Sequence, residues 1–321
     1  MINTKRAIEV VAILMITALP DVGAQELDGG RLSQDIKQEF LSHSARTVHD
    51  THVTPEVAPA SAQTGTNACE VLHWDRESYN KPYMSIERPG KYCLDQDYEF
   101  ACSIFGHGCG GRMIEISASN VDLDFRGHTL RMSGTRGYTG VRGFGQNIRV
   151  HNGRIEGAGL GITLMNRGSS PGRAYPILKV RTDDVFTETD FMVEHMQFSD
   201  VVSAVTVAGS GNKIRDNTID AALDANATSG PPFSLLSYGP SARIERNTFR
   251  LHDLTPGSNG YAIYLRSADR TAVEGNTVRV DDSPTGTIGV GLSNSKEVSL
   301  RQNRIDTEKS TELDERSSMR Q

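Results

Sequence analysis

The chain repeats one pattern of apolar and polar positions seven times. Each repeat has an anchor residue with one apolar residue three positions before it and another two positions after it. The positions between them are variable. The anchors are His128, Gly153, Met196, Asn217, Asn247, Asn276 and Asn303. The flanking apolar positions hold Phe125, Val150, Val193, Ile214, Ile244, Val273 and Leu300 before the anchors, and Leu130, Ile155, Phe198, Ile219, Phe249, Val278 and Ile305 after them. Because this recurs every 21 to 43 residues, the pattern predicts one solenoid turn per repeat.

Within each turn, alternating apolar and polar residues predict short β-strands that bury one side and expose the other. A second apolar strand precedes most anchors, and its predicted outward positions are Thr163, Thr206, Leu235, Tyr264 and Gly291. The four asparagine anchors predict an internal ladder, in which each side-chain amide bonds to the same position one coil away. The sequence therefore predicts an all-β solenoid of about seven coils.

Several segments resemble a known family of solenoids. Residues 244–249 (Ile-Glu-Arg-Asn-Thr-Phe) and 273–278 (Val-Glu-Gly-Asn-Thr-Val) resemble repeats of right-handed parallel β-helix proteins, the pectin-lyase-like superfamily. Residues 89–94 and 120–130 are similar to the N-terminal cap and first coil of its bacterial exported members. The resemblance covers roughly residues 69–305 and implies a right-handed parallel β-helix. It leaves the activity open, because the superfamily includes lyases, hydrolases, epimerases and accessory proteins.

The two ends of the chain differ from the repeats. Residues 1–24 have Lys5 and Arg6, a short apolar run and a small-residue site ending at Ala24, which predicts a cleaved signal peptide and a secreted or periplasmic protein. An uncleaved anchor is the alternative. Residues 25–66 are polar and predict a flexible linker, residues 67–113 a cap region, 114–306 the β-helix and 307–321 a frayed, disordered tail. The exposed last coil predicts association through the C-terminal end, as an end-to-end dimer or a trimer.

Composition narrows the classes of partner. The 321 residues are 37% hydrophobic and 23% charged, with a mean hydropathy of −0.41. These values exclude a polytopic membrane protein, and no segment after the signal is apolar enough to span a membrane. The net charge is −6, and the basic residues are scattered along the chain. Nucleic acid is therefore not an expected partner, because no basic stripe is present to neutralise phosphates.

Four cysteines lie within 41 residues of each other: Cys69, Cys93, Cys102 and Cys109. In an exported chain they predict two disulfides that hold the N-terminal cap region together. Three pairings are open, and we expect Cys69 with Cys93 and Cys102 with Cys109. Metal binding by these cysteines with His107 is the alternative, but their spacing matches no common zinc site.

Candidate chemistry is concentrated after the anchor strands of three successive repeats. These turns carry Asp220 and Asp224, His252 and Asp253, and Asp281 and Asp282. Arg250 and Arg279 occupy matching positions three residues after their anchors, and Tyr261, Tyr264 and Arg266 follow on a neighbouring strand. A solenoid brings matching positions into one column, so we expect these side chains along one edge. The residues two positions before the anchors, such as Glu194 and Glu245, are predicted to form a solvated face with weak ion pairs.

This set of side chains predicts a site for an acidic polysaccharide. The candidate catalytic residues are Asp224, His252, Asp253, Tyr261 and Arg266, and the candidate substrate-binding residues are Arg250, Arg279, Asp282 and Tyr264. Cleavage by β-elimination needs an arginine or a bound Ca²⁺ to neutralise the sugar carboxylate, a base such as His252 or Tyr261, and an acid for the leaving oxygen. Hydrolysis instead needs two carboxylic acids that face the glycosidic bond. No other cofactor is predicted.

A non-catalytic function is the competing interpretation. Aspartates are common in tight turns because their side chains bond the local backbone, so the acidic cluster is also typical of a binding or structural β-helix. The chain lacks the Asp-Pro-His-Asp motif of mannuronan epimerases and the combined motifs of polygalacturonases. Residues 166–190, between the repeats of Gly153 and Met196, are predicted to form an inserted loop that either lines a binding site or is a plain surface excursion.

Overall fold

A computed structural model describes residues 68–74, 83–101, 111–133, 139–166, 170–171, 178–179, 186–223, 232–252, 259–281 and 286–320. The chain divides into two units, residues 1–64 and 65–321, and the described residues all belong to the second. The predicted signal peptide and the whole of the predicted linker lie outside the described residues. In the described ranges no helix has the length and apolar character needed to cross a membrane.

The described part of the second unit is built from β-strands. In chain order they are β1 (Glu70–Val71), β2 (Met84–Ile86), β3 (Gly90–Cys93), β4 (Tyr98–Ala101), β5 (Arg112–Ile116), β6 (Val121–Asp124), β7 (Thr129–Ser133), β8 (Thr139–Phe144), β9 (Ile148–Glu156), β10 (Leu160–Met165), β11 (Ser170–Pro171), β12 (Leu178–Lys179), β13 (Met192–Val201), β14 (Ser203–Ala208), β15 (Lys213–Arg215), β16 (Thr218–Ala222), β17 (Phe233–Tyr238), β18 (Arg243–Glu245), β19 (Thr248–His252), β20 (Gly260–Arg266), β21 (Ala272–Glu274), β22 (Thr277–Val280), β23 (Thr287–Ser293), β24 (Ser299–Arg301), β25 (Arg304–Ile305) and β26 (Lys309–Leu313).

Strand pairing shows that the chain winds through three parallel stacks. Sheet B has the order β2-β5-β8-β10-β14-β17-β20-β23-β26, sheet A1 the order β1-β3-β6-β9-β13-β15-β18-β21-β24, and sheet A2 runs from β4 and β7 through the second halves of β9 and β13 to β16, β19, β22 and β25. Each coil thus contributes one strand to B, then one to A1, then one to A2. This confirms the predicted right-handed parallel β-helix. The short antiparallel pair β11–β12 lies within the predicted insertion.

The asparagine anchors form the predicted ladder inside the solenoid. Asn217, Asn247 and Asn276 are each 1% exposed. The side-chain amides of these three residues donate to Oδ1 of the next anchor at 2.9, 3.0 and 3.0 Å, ending at Asn303. The residue before each of the seven anchors has a left-handed backbone, which turns the chain from A1 into A2. The asparagines therefore satisfy the backbone groups that this bend leaves inside the core.

The glycine anchor has a packing reason. A Cβ atom at Gly153 would lie 2.1 Å from Cβ of Phe125, which occupies the core beneath it and is fully buried. In later coils this space is occupied by the anchor side chain. Here the ring of Phe125 occupies it instead.

The N-terminal region contains a complete coil. Strands β2, β3 and β4 pair with β5, β6 and β7, so residues 84–101 of the predicted cap region already wind like the repeats. The disulfide Cys69–Cys93 is present, with a Cα–Cα distance of 5.7 Å, as expected. Trp74 stacks on Phe100 at 4.1 Å between ring centroids. Cys102 and Cys109 lie outside the described residues.

The C-terminal tail differs from its prediction. Residues 307–321 were expected to be frayed, but β26 pairs with β23 in sheet B, and Val298 forms a bridge with Met319. Asp314 fixes the turn after β26, because its carboxylate accepts hydrogen bonds from the backbone N–H of Asn294 and from the Ser317 hydroxyl. Lys309 and Thr311 pair with the core positions Ile288 and Val290 of β23, so this last strand is polar although it belongs to sheet B.

Candidate functional site

The predicted edge brings together a histidine and a carboxylate on sheet A2. Nε2 of His252, the last residue of β19, lies 3.0 Å from Oδ1 of Asp220 on β16. Both side chains are partly exposed, at 23% and 32%. Among the described residues Oδ1 of Asp220 accepts no hydrogen bond of good geometry, so its contact with His252 is electrostatic. Contacts of this kind often tighten only when a substrate is bound.

Arg250 and Asp281 complete the charged cluster around this pair. Nε of Arg250 donates to Oδ2 of Asp281 at 2.6 Å, and Nη1 of the same arginine lies 3.9 Å from Asp220. The hydrogen bond from Arg250, together with the charges of Arg250 and His252, holds the pKa of Asp281 below its usual value. Asp281 therefore stays ionised and holds the guanidinium in place.

Arg279 lies directly beside Arg250 in the pairing of β19 with β22, as the sequence predicted. Its side chain is exposed, and it forms no ion pair with any other residue in the described ranges. Neighbouring strands are about 4.8 Å apart, so Arg279 adds a second positive charge beside Arg250, whose own charge is paired with Asp281. Arg279 is thus the group at this edge that is best placed to meet an external carboxylate.

Sheet B carries the predicted tyrosines as an aromatic cluster. The rings of Tyr261 and Tyr264 lie 4.8 Å apart, and Phe233 lies 6.4 Å from Tyr264. Tyr261 fits because residue 291 is glycine, where a Cβ atom would lie 2.3 Å from the Tyr261 ring. The Tyr261 hydroxyl donates to Oε2 of Glu312 on β26 at 3.1 Å.

The protonation state of Tyr261 decides whether it can act as the predicted base. Burial and, after it, the Glu312 carboxylate raise the pKa of the Tyr261 phenol well above its ordinary value of 10. The hydroxyl is therefore protonated at neutral pH and donates a proton rather than removing one. Of the two predicted bases, His252 is the one whose chemistry fits.

The structure divides the remaining predicted site residues between locations. Arg266 lies on sheet B with its guanidinium 5.2 Å from the ring centroid of Tyr238, its pairing partner on β17. Asp224, Asp253 and Asp282 lie outside the described residues, in the segments that join A2 to B. The described site thus has one part on A2, around His252, and one on B, around Tyr261.

A second charged cluster was not predicted as such. Glu194 on β13 is buried, with its side chain 1% exposed, although its column was expected to be solvated. Nε of Arg149 donates to Oε1 and Nε of Arg215 to Oε2, each at 2.7 Å. Nearby, Nε2 of His151 lies 2.8 Å from Asp122. Both oxygens of Glu194 are satisfied by neighbouring coils, so this cluster fastens coils together.

No cluster of three or more histidine, cysteine or acidic side chains suited to a metal ion occurs in the described ranges. Asp220 and Asp281 are the described carboxylates at the edge where Ca²⁺ was considered, and each of them lies beside an arginine or a histidine.

Comparisons with known proteins add little to this geometry. Neither the protein-family models nor the curated proteins give a match. Among solved structures, the mannuronan C-5 epimerase AlgE4 A-module of Azotobacter vinelandii is 11% identical, with 73% of this chain and 91% of that chain covered and a TM-score of 0.20. A TM-score this low carries no argument, so the fold rests on the strand pairing described above.

Proposed function

We propose that this chain is an exported polysaccharide lyase that binds an acidic polysaccharide and cleaves it by β-elimination at the A2 edge. The observation that carries the proposal is the contact between His252 and Asp220 beside a column of two arginines. A uronate unit brings a carboxylate for Arg279, which has no ion-pair partner among the described residues. The same unit has an acidic proton next to that carboxylate, and an imidazole is a suitable base to remove it.

Each described residue has a distinct part in this reaction. Arg279 neutralises the sugar carboxylate and so lowers the pKa of the neighbouring C5 proton. Asp220 lies against the imidazole of His252 and orients it, and this imidazole accepts that proton. The electron pair of the broken C–H bond forms the new C4–C5 double bond as the C4–O bond breaks. The leaving oxygen takes a proton from a phenol or from water, and no oxidant is needed.

Hydrolysis is less well supported by the same residues. A glycoside hydrolase needs one carboxylic acid that is protonated at working pH, with a raised pKa. Asp281 has a lowered pKa, because Arg250 holds it ionised. The second candidate function is binding without catalysis, which is favoured by the mutual pairing of Arg250 and Asp281.

The test is turnover of a panel of polyuronates and neutral glycans by the purified chain, followed by the ultraviolet absorbance of unsaturated ends and by reducing ends. We expect unsaturated ends from a polyuronate, and a loss of at least about 100-fold in kcat for His252→Gln. The control His73→Gln changes an exposed histidine near the N-terminal end and should leave the rate unchanged.

Equal rates for His252→Gln and the unchanged chain would reject the catalytic role of this edge. Reducing ends without unsaturated ends would indicate hydrolysis, and binding without any product would indicate the non-catalytic function. Export is tested separately by sequencing the N-terminus of the secreted chain, which should begin at Gln25.

A further inference from the structure

A polar pocket of about 250 Å³ lies on the outside of the solenoid, at the bend between sheets A1 and A2. It spans three successive coils, those of β7, β9 and β13. The residues that line it are Gly127, Asn152, Gly153, Arg154, His195 and Gln197. This is a different part of the surface from the His252 edge, which belongs to the coils of β16, β19 and β22.

The pocket forms because the column of residues that precede the anchors has a glycine, Gly127, at one position. Gly127, Asn152 and His195 all have left-handed backbones at the bend, in consecutive coils. A Cβ atom added at Gly127 would meet no atom within 4 Å, so the space above it is open. Two coils beyond His195, the same column is closed, because Arg246 forms a two-pronged ion pair with Asp216 at 2.8 Å for both contacts.

The groups around the pocket favour an anion. Arg154 is held in place by Gln197, whose Oε1 accepts from Nη2 at 2.7 Å and from Nε at 3.2 Å. Nη1 of Arg154 also donates to Oε1 of Glu156 at 3.4 Å, while Oε2 of Glu156 pairs with Arg131, and Glu156 is not part of the lining. The Arg154 side chain remains 46% exposed, and its guanidinium has further N–H donors. Of the six described residues that line the pocket, none is acidic.

We propose that this pocket binds one carboxylate-bearing sugar unit of an acidic polysaccharide. The Arg154 guanidinium takes the carboxylate, His195 and the amides of Asn152 and Gln197 bond hydroxyl groups, and the backbone at Gly127 and Gly153 lets the ring approach closely. The chemistry follows from the donors, since a guanidinium and two amides suit a carboxylate and the hydroxyls beside it.

The position of the pocket suggests how a bound polysaccharide runs along the surface of sheet A2. Arg154 and Thr248 occupy one column of sheet A2, three coils apart, and Arg250 lies two residues beyond Thr248. At about 4.8 Å per coil this separation is roughly 14 Å along the solenoid axis. A polysaccharide anchored in the pocket and extended along A2 therefore reaches His252. This placement along the axis rests on the proposed function, whereas the pocket itself does not.

The test measures binding of a short oligouronate to the full chain by calorimetry, beside the same oligosaccharide with its carboxyl groups reduced. Arg154→Gln removes the charge, and Gly127→Asn fills the open space with a residue that tolerates a left-handed backbone, as Asn152 does one coil later. We expect each variant to weaken binding about tenfold or more, and the reduced oligosaccharide to bind as weakly. Arg243→Gln, an equal charge change at an exposed arginine on A1, should bind like the unchanged chain.

Unchanged affinity of Arg154→Gln, or equal binding of the charged and reduced oligosaccharides, would overturn the proposal. Circular dichroism and the thermal midpoint show whether Gly127→Asn is folded, and if it is not, Arg154→Gln decides. His252→Gln separates the two proposals, because it should lose turnover and keep oligouronate affinity. If the pocket is wrong but the lyase is right, Arg154→Gln keeps its affinity while His252→Gln still loses activity.

Discussion

The side-chain amide of Asn217 donates a 2.9 Å hydrogen bond to Oδ1 of Asn247, one coil further along. Asn247 in turn donates to Asn276 at 3.0 Å and to the Ile214 carbonyl at 2.9 Å, and its Oδ1 also accepts from the Asn217 backbone at 3.1 Å. One buried side chain thus bonds to groups in both neighbouring coils and links three coils together. A solenoid has contacts only between neighbouring coils, so its cooperativity depends on such links.

We predict that Asn247→Ala lowers the free energy of unfolding by about 3–5 kcal/mol, because it leaves several buried donors and acceptors without partners. The measurement is urea unfolding followed by circular dichroism. The control is Asn147→Gly, which removes an exposed amide that bonds Asn120 and keeps a residue suited to the left-handed backbone there. It should change stability by less than about 1 kcal/mol. Equal effects of the two variants would contradict a special role for the buried ladder.

Glu194 should make the stability depend on pH. Burial by itself raises the pKa of Glu194, but hydrogen bonds from Arg149 and Arg215 outweigh it and bring the pKa below 4.5. A carboxylate with a lowered pKa in the folded state stabilises the fold above its unfolded pKa, and this contribution is lost as the pH falls through the folded pKa. We therefore expect the contribution of Glu194 to be complete above about pH 4.5 and to disappear below it.

Glu194→Gln tests this expectation by acid titration of the unfolding midpoint. It should destabilise the chain by about 3–5 kcal/mol at neutral pH, because two arginines lose their shared anion, and it should flatten the acid limb of the titration. Glu245→Gln is the control, since Glu245 occupies the same column but has contacts of 3.5 and 4.0 Å at a more exposed place. It should cost less than about 1 kcal/mol. An acid limb of unchanged steepness in Glu194→Gln would contradict the assignment.

The sequence predicted the fold because the repeat is long-range and redundant. All fourteen positions that flank the anchors hold large apolar residues, so one misassigned position would not change the predicted fold. The outward strand position in β17 shows the limit of this method. Leu235 was predicted to face outward, but Leu236 pairs with Thr206 and Tyr264 while Leu235 lies in the core. Adjacent leucines give no alternation, so their register is decided by pairing with the neighbouring coils.

For the candidate site, the sequence predicted which residues share a column of neighbouring coils, but not which side chains touch. Arg250 and Arg279 were placed side by side by their equal distance from the anchors, and the structure confirms it. The contact of His252 with Asp220 could not be derived, because it runs diagonally between coils and depends on side-chain rotamers. The burial of Glu194 was missed for a similar reason. A charged residue in an outward column is typical of a solvated face, and only the arginines of two other coils, 45 and 21 residues away, cover it.

Thr206 offers a test of an unpaired polar group. Its side chain is 2% exposed, and Oγ1 is buried without a hydrogen-bond partner in the described ranges. Thr206→Val keeps the shape and removes the unpaired hydroxyl, so we expect it to be neutral or to stabilise the chain by about 1–2 kcal/mol. The reverse change at the adjacent core position, Val207→Thr, should destabilise it by about 1–3 kcal/mol. The urea midpoints of the two variants give the comparison. A loss for Thr206→Val equal to that for Val207→Thr would show that the hydroxyl has a partner.

The last strand gives the final prediction, because it decides whether the polar tail belongs to the fold. Removal of residues 307–321 deletes β26 and uncovers one flank of Ile288, Val290 and Leu292, which are at most 2% exposed in the intact chain. We expect a loss of about 3 kcal/mol or more, since burial of each such side chain contributes about 1.5–3 kcal/mol. The deletion also removes Lys309 and Glu312, charges that discourage pairing at an exposed sheet edge. The truncated chain should therefore associate at concentrations where the intact chain does so less, which light scattering can measure. Ser310→Ala, which keeps the strand, is the matched control. An unchanged thermal midpoint and mass after truncation would mean that the β-helix ends at β25.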